Sequence, residues 1–542
     1  MTEAKARLVL SLVMLAVGAG LLGAAAAQGG HAGASIRNGG TFRVAFMGSI
    51  GNIDPAVPDF RAGFLLEATC ARLMTYPDKP PPEGFRLVPE VASGYPRVST
   101  DGKTYTFTLR GGFRFSNGDR VRANAFARAI MRSLEVKGYG AQLVQEIVGA
   151  DRVQDGTART VTGIAARGNQ LVIRLTRPAP DFPARMTAPY FCAVPPALPA
   201  DPEGVTTFPA AGPYYVAENV RGRRIVLRRN RFYRGSRPHH VASFVAEARG
   251  GSFDDVLDGI EQGAADWGWA PSVFYLRPER RLVAKYGVNR SQFFLKPGLT
   301  FRHYHLNTSR PLFRNNPRLR RAVNFAVDRS AVQRALEGRL GGRLTDQYLP
   351  PGLPGFRDAK IYPLERPNVR RARALARGHR RSGEAVLYAF DRPNFIAAAQ
   401  VIKKNLATIG LVVEIKSFPI SVLFQKVLTP GEPWDIAWAD WAPDYLDPFS
   451  YLNSLLDGQF VSANNWSHFN SERYNRRLRW TARLQGAARY REYGKLDVEL
   501  AREAAPMVAI SFLNEPTLVS KHVDRRCIVL RPTLDLTAVC LK

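Results

Sequence analysis

Cysteine is scarce in this chain, with four in 542 residues. Cys70, Cys192, Cys527 and Cys540 stand at no zinc-ligand spacing. His239 and His240 are adjacent rather than a helical turn apart, so they are read as exposed side chains, and no metal site or cofactor is expected. There is no Gly-x-Ser-x-Gly elbow and no His-Glu-x-x-His pair. Gly102-Lys-Thr104 ends like a phosphate loop, but Arg97 stands where the first glycine is required. No residue set for catalysis is left, and an enzyme is not expected. Acidic residues are also short: 46 Asp and Glu face 76 Lys and Arg, a formal net charge of +30. That surplus raises nucleic acid as a partner. The arginines are scattered, however, and no zinc finger, helix-turn-helix or RNA-binding motif accompanies them, so no nucleic acid is expected. The densest groups, Arg318-Leu-Arg-Arg321 and Arg370-Arg-Ala-Arg373, fall on predicted helices, where a solvated face or attraction to an anionic envelope accounts for them.

Long apolar runs are missing too, with one exception at the N-terminus. Lys5 and Arg7 precede an apolar stretch over 8–22, and Ala24-Ala-Ala-Ala-Gln28 follows. A basic start, an apolar middle and small residues at 25 and 27 are the pattern of a secretory signal, with cleavage after Ala27. An uncleaved anchor is the alternative, since the stretch is about long enough to span a bilayer. Either way the protein is expected to be exported, periplasmic or envelope-associated, outside the cytoplasmic membrane. In such a compartment four cysteines permit two disulfides, in any of three connectivities. Cys527 and Cys540, close in sequence, would staple a terminal hairpin and leave Cys70 with Cys192.

What is present is a succession of strands and helices too long for a single core. Tyr105, Phe107 and Leu109 alternate on a predicted strand, as do Leu171, Ile173 and Leu175. Helices are predicted over 62–74, 123–134 and 394–409, the last ending at Gly410. Asn316-Pro317 is an N-cap followed by proline at the first helical position, and Asp328 can cap the next helix. Proline-rich breaks at 77–82 and 195–202 bracket a segment of their own. The class is mixed α/β.

Several blocks, in order, resemble the family 5 extracellular solute-binding proteins, the peptide, dipeptide and nickel receptors of ABC importers. They are Gly39-Gly-Thr41, Ile53-Asp-Pro55, Leu87-Val-Pro-Glu-Val-Ala92, Phe115-Ser-Asn-Gly118, Gly212-Pro-Tyr214 with Asn230, Asn307 with Pro311-Leu-Phe313, residues 318–328, and Asp444-Tyr-Leu-Asp-Pro448. The chain departs from the family at Arg122-Ala-Asn-Ala-Phe126, where a capping threonine is usual, and it has no cysteine directly after the signal.

The resemblance implies a two-lobed periplasmic-binding-protein-like fold (type II, cluster C) with an extra subdomain inserted in lobe I. The expected limits are a signal at 1–27, a tether at 28–38, lobe I at 39–77, 206–299 and 506–542, the insert at 78–205, and lobe II at 300–505. It implies a receptor that captures short peptides between the lobes as a monomer and meets the membrane through the importer's permease subunits. The same fold carrying a sugar, an opine or a chelated metal is the alternative, and a basic envelope protein binding anionic polymers is another.

Three of the seven tryptophans lie in Trp434-Asp-Ile-Ala-Trp-Ala-Asp-Trp441. Trp434 and Trp438 read as core by their alternation on a strand. Trp441, Asp444 and Tyr445 follow the strand's end, where binding groups collect. By the resemblance, Asp444 is the carboxylate that pairs with a peptide's α-ammonium. Ser49, Ile50 and Asn52, in the turn before Asp54, are the other cleft candidates, with His303 and Tyr304, either of which could stack on a ligand side chain or be core; Asp54 itself reads as a turn residue.

Overall fold

A computed structural model describes residues 36–269, 279–461, 463–530 and 534–542. The expected signal and most of the tether lie outside the described residues. Residues from Asn38 onward make one compact unit, built on three main sheets.

The first sheet has strands in the order Trp267–Trp269, Thr41–Phe46, Ser243–Ala248, Arg224–Arg229, Tyr214–Val220. Thr41–Phe46 lies parallel to both its neighbours, and the rest is antiparallel. Phe42, Val44 and Phe46 go into its core. The close approach beside this sheet explains one quoted block: a Cβ on Gly212 would lie 2.4 Å from the carbonyl of Thr69, so only glycine fits before Pro213-Tyr214.

The second sheet is antiparallel, Arg97–Val98, Thr104–Thr108, Gln170–Arg174, Ile164–Arg167. All its strands fall within 97–174. Tyr105, Phe107, Leu171 and Ile173 are buried, as their alternation requires, against the helix Ala123–Glu135. That helix starts at Arg122 without a side-chain cap.

The third sheet runs Gly342–Leu344, Met507–Leu518, Phe293–Leu306, Ile436–Trp441, Glu384–Phe390, Val412–Phe418. Asn316 caps the helix Pro317–Ala326 with Pro317 at its first turn, and Asp328 caps Arg329–Glu337 through the N–H of Ala331 at 2.8 Å. The helix Pro393–Ala407 ends before Gly410, whose φ of +80° turns the chain into the strand Val412–Phe418. The helix expected over 62–74 is shorter, Gly63–Thr69, because the chain turns extended at Cys70 and pairs as the strand Met74–Thr75 with Val88–Pro89.

Phe293–Leu306 and Met507–Leu518 form a long antiparallel ribbon, from Phe293 opposite Leu518 to His305 opposite Met507. Its register breaks between Pro297 and Phe301. One end sits in the third sheet, and the other reaches the first through a bridge from Val519 to Trp267. Cys70 is bonded to Cys192 and Cys527 to Cys540, with Cα atoms 5.2 and 5.7 Å apart.

Candidate functional site

Ile436–Trp441 is flanked on both sides, antiparallel to Phe293–Leu306 and parallel to Glu384–Phe390. A strand enclosed on both faces carries apolar residues continuously, and Ile436, Ala437, Trp438 and Ala439 are all buried. Trp434 and Trp438 are core, as their alternation implies. Trp438 meets Phe395 edge-on at 4.7 Å and stacks on Phe390 at 6.1 Å.

Polar chemistry begins where the strand ends. The half-buried Trp441 donates its indole N–H to the Ser450 carbonyl at 2.7 Å, and the Asp444 N–H donates to Ser450 Oγ at 3.0 Å. The loop is thereby pinned to the helix Phe449–Leu456. Asp447 accepts both terminal nitrogens of Arg489, at 2.6 and 2.7 Å, so this second carboxylate is structural. Tyr445 is buried and donates to Asp181 Oδ2 at 2.7 Å. Asp181 is held in turn by Arg185 at 2.8 Å. Tyr445 therefore fastens the loop to the segment around 181–185.

Asp444 differs from both neighbours. Its Oδ1 accepts the hydroxyl of Tyr139 at 2.9 Å, from a residue 305 positions away. Among the described residues no Lys or Arg pairs with it. Burial raises its pKa to about 6, offset only by the Tyr139 hydrogen bond. Tyr190 lies beside Tyr139, ring centroids 6.2 Å apart, and its pKa is pushed up to about 12 by burial and then by the negative charge of Asp444. The result is a carboxylate walled by two phenols and lacking a cation, an arrangement suited to a ligand that brings one.

Tyr139 was not among the residues singled out from the sequence. A signal exists in hindsight: it stands between Gly138 and Gly140, and a Cβ on Gly140 would lie 2.7 Å from the Tyr190 ring. The glycine permits the approach of the two tyrosines.

The remaining candidates are placed elsewhere. Ser49 is exposed and accepts from Arg61, at 3.3 Å on its hydroxyl. Ile50 is buried, and its N–H bonds to the Gly222 carbonyl at 3.0 Å. Asn52 donates to the Glu203 carbonyl at 3.0 Å. Ile50 and Asn52 line a pocket of about 220 Å³ with Asp59, Arg61 and Arg221, a lining that includes neither Asp444 nor Tyr139. Asp54 is fully buried, paired with both terminal nitrogens of Arg132 at 2.9 and 2.7 Å.

His303 and Tyr304 are core residues in this structure rather than lining a cleft. Successive residues of a strand enter opposite layers. Tyr304 packs into the third sheet's apolar layer, while His303 stacks on Phe301 at 4.5 Å and shares a hydrogen bond with His305, Nε2 to Nε2, at 3.0 Å. Burial lowers the pKa of His303 to about 3, so it stays neutral. Among the described residues no group of three or more His, Cys, Asp or Glu could hold a metal ion, and no helix is long and apolar enough to cross a membrane.

Residues 86–462 match the model of the bacterial extracellular solute-binding proteins, family 5, middle region. A probable D,D-dipeptide-binding periplasmic protein of Escherichia coli K12 is 24% identical over 398 residues, 71% of each chain. The periplasmic oligopeptide-binding protein of the same strain is 23% identical over 446 residues, 76% of this chain and 77% of its own. Among solved structures, clavulanic acid biosynthesis oligopeptide binding protein 2 superposes with a TM-score of 0.83 at 23% identity, covering 94% of this chain and 96% of its own.

Proposed function

We propose, from the premise that the chain belongs to the bacterial extracellular solute-binding proteins of family 5, that it is an exported receptor which closes on short peptides. Family membership makes it a binder of solutes rather than an enzyme, in line with the missing catalytic motifs. The peptide reading rests on Asp444: a half-buried carboxylate with a tyrosine donor and no cationic partner is matched by a free α-ammonium. The relatives named for dipeptide and oligopeptide binding support the same solute class.

In this reading the ribbon Phe293–Leu306 with Met507–Leu518 is the hinge, because its register break lies between the first and third sheets. Closure brings Tyr139 and Asp181 against Asp444 and Tyr445. The closed form docks as a monomer on the permease subunits of an ABC importer, whose ATPase supplies the energy. Backbone hydrogen bonds, direct and through water, give affinity that tolerates varied side chains.

Calorimetry with a panel of di- to pentapeptides tests the reading. Heat is expected from peptides with a free amino terminus. Silence across the panel, together with tight binding of a sugar, opine or metal chelate retained by the purified protein, rejects it.

A further inference from the structure

Residues 314–321 and 366–381 hold eleven arginines and no aspartate or glutamate. The first stretch leads into the helix Pro317–Ala326, and the second contains the helix Val369–Ala376. The two helices pack directly against each other. Leu319, Ala322 and Val323 face inward from one, and Ala372 and Ala376 from the other. Their ends are tied together. Asn316 donates to the His379 carbonyl at 2.8 Å, Arg381 donates to the Arg314 carbonyl, and the Asn368 N–H bonds to the Phe325 carbonyl at 2.9 Å. The outward sides therefore form one continuous face.

Arginine dominates that face, with the exposed Glu365 and Glu384 just beyond the ends of the second stretch. Arg318, Arg370, Arg373, Arg377 and Arg381 are exposed, spaced along the outer side of their helices and the turn beyond. Of the eleven, Arg320 alone is buried, held by the Phe313 and Ala504 carbonyls. Among the described residues none of the other ten forms an ion pair. Elsewhere some surface arginines are matched, Arg473 and Arg477 by Glu499 and Arg526 by Asp524, and others such as Arg97 and Arg110 form no ion pair among the described residues; what sets these two stretches apart is the number of arginines gathered on two packed helices. A solvated helical face ordinarily mixes charge signs, and ten unpaired cations together repel one another unless an anionic surface neutralises them.

We propose that this helix pair is a docking face for an anionic phospholipid membrane surface. Guanidinium groups bind phosphate through paired N–H donors, which suits lipid headgroups. No large apolar side chain is exposed in either stretch, so the face lies on the headgroups without inserting. It also lacks the aromatic platform on which single-stranded nucleic acid stacks. A member of an extracellular family meets a membrane as its nearest extended phosphate surface. The proposal is independent of the peptide site.

Flotation of the protein as the cell exports it, with phosphatidylcholine vesicles with and without phosphatidylglycerol, tests the face. Binding is expected only to the anionic vesicles and is expected to fall as salt rises. Each arginine near such a surface contributes about 1 kcal/mol, roughly a fivefold factor in partitioning. The quadruple change of Arg370, Arg373, Arg377 and Arg381 to Gln should lose several hundredfold, down to the level on neutral vesicles. A control changes Arg97, Arg110, Arg159 and Arg167 to Gln, four exposed arginines around the sheet within 97–174, and alters net charge equally. It should keep nearly all the binding. Equal losses in the two variants overturn the proposal. So does absence of vesicle binding, whether or not duplex DNA or an anionic polysaccharide is bound instead. Arg314→Gln with Arg318→Gln gives a second, smaller step should the quadruple variant fold poorly.

Discussion

Replacing Asp444 by Asn keeps the acceptor for Tyr139 and removes only the charge. A charge-assisted hydrogen bond contributes about 1.5–3 kcal/mol, so a peptide with a free amino terminus should bind roughly 10- to 150-fold more weakly to the variant. The N-acetylated peptide offers no cation, and its affinity should change by less than about threefold. Isothermal calorimetry of the two peptides against both proteins gives the four constants needed for a double comparison. The pH profile supplies an independent arm. Burial holds the Asp444 pKa near 6 in the arrangement with Tyr139 against it, and an ammonium requires the carboxylate form. Affinity for the free-amine peptide should therefore be level between about pH 6 and the α-amino pKa of about 8, and fall as pH drops through about 6, approaching tenfold per unit. The Asn variant should show no such fall. An equal loss for both peptides, or an unchanged pH profile in the variant, would refute the ammonium role of Asp444.

Other outcomes follow from the buried groups. Asp54→Ala strands Arg132 without its carboxylate in the core, a loss of about 3–5 kcal/mol in denaturant unfolding, with peptide affinity unchanged in the remaining folded protein. Trp438→Ala opens a cavity between Phe390 and Phe395, and thermal melting should report about 3–5 kcal/mol. Cys527→Ala removes a link closing a 13-residue separation, and chain entropy predicts a loss of about 3 kcal/mol in denaturant unfolding; reduction of the unmodified protein, which also opens Cys70–Cys192, should cost more. Tyr139→Phe withdraws the hydroxyl from Asp444; free-amine peptides should bind within about tenfold of the unmodified protein, because the ammonium replaces that donor.

Local elements were readable because their signals are local. The alternation of Tyr105, Phe107 and Leu109 needs only a pleated strand with one buried face, and the caps at Asn316 and Asp328 need only their own first turns. The readings that departed depend on distant partners. Periodicity extended the helix from 62 to 74, but pairing of Met74–Thr75 with Val88–Pro89 cut it short. His303 and Tyr304 stood beside a conspicuous Asn307, yet cover on both faces of Phe293–Leu306 made them core. Tyr139 is hard to read for the same reason in reverse. Gly138 and Gly140 mark a close approach, but its meaning comes from Asp444, 305 residues on, a partner that the flanking glycines do not identify.

The distance in sequence between Tyr139 and Asp444 also bears on how a ligand would act. The carboxylate comes from the loop after a third-sheet strand, and the phenols that wall it come from the segment near the second sheet. Bringing these surfaces together removes water from Asp444, and the rise of its pKa to about 6 records the cost of doing so to the charged form. Without a cation, closure at neutral pH works against that desolvation. On the proposed reading, a bound α-ammonium supplies the missing counter-charge only in the closed arrangement, so it binds closed better than open, and that differential affinity shifts the population. Protonation of Asp444 relieves the same cost without any ligand. Small-angle scattering should accordingly show the unliganded protein contracting as pH falls through 6. In the Asp444→Asn variant it should be contracted already at neutral pH. A radius of gyration that ignores both changes would separate Asp444 from closure, leaving it a binding group alone.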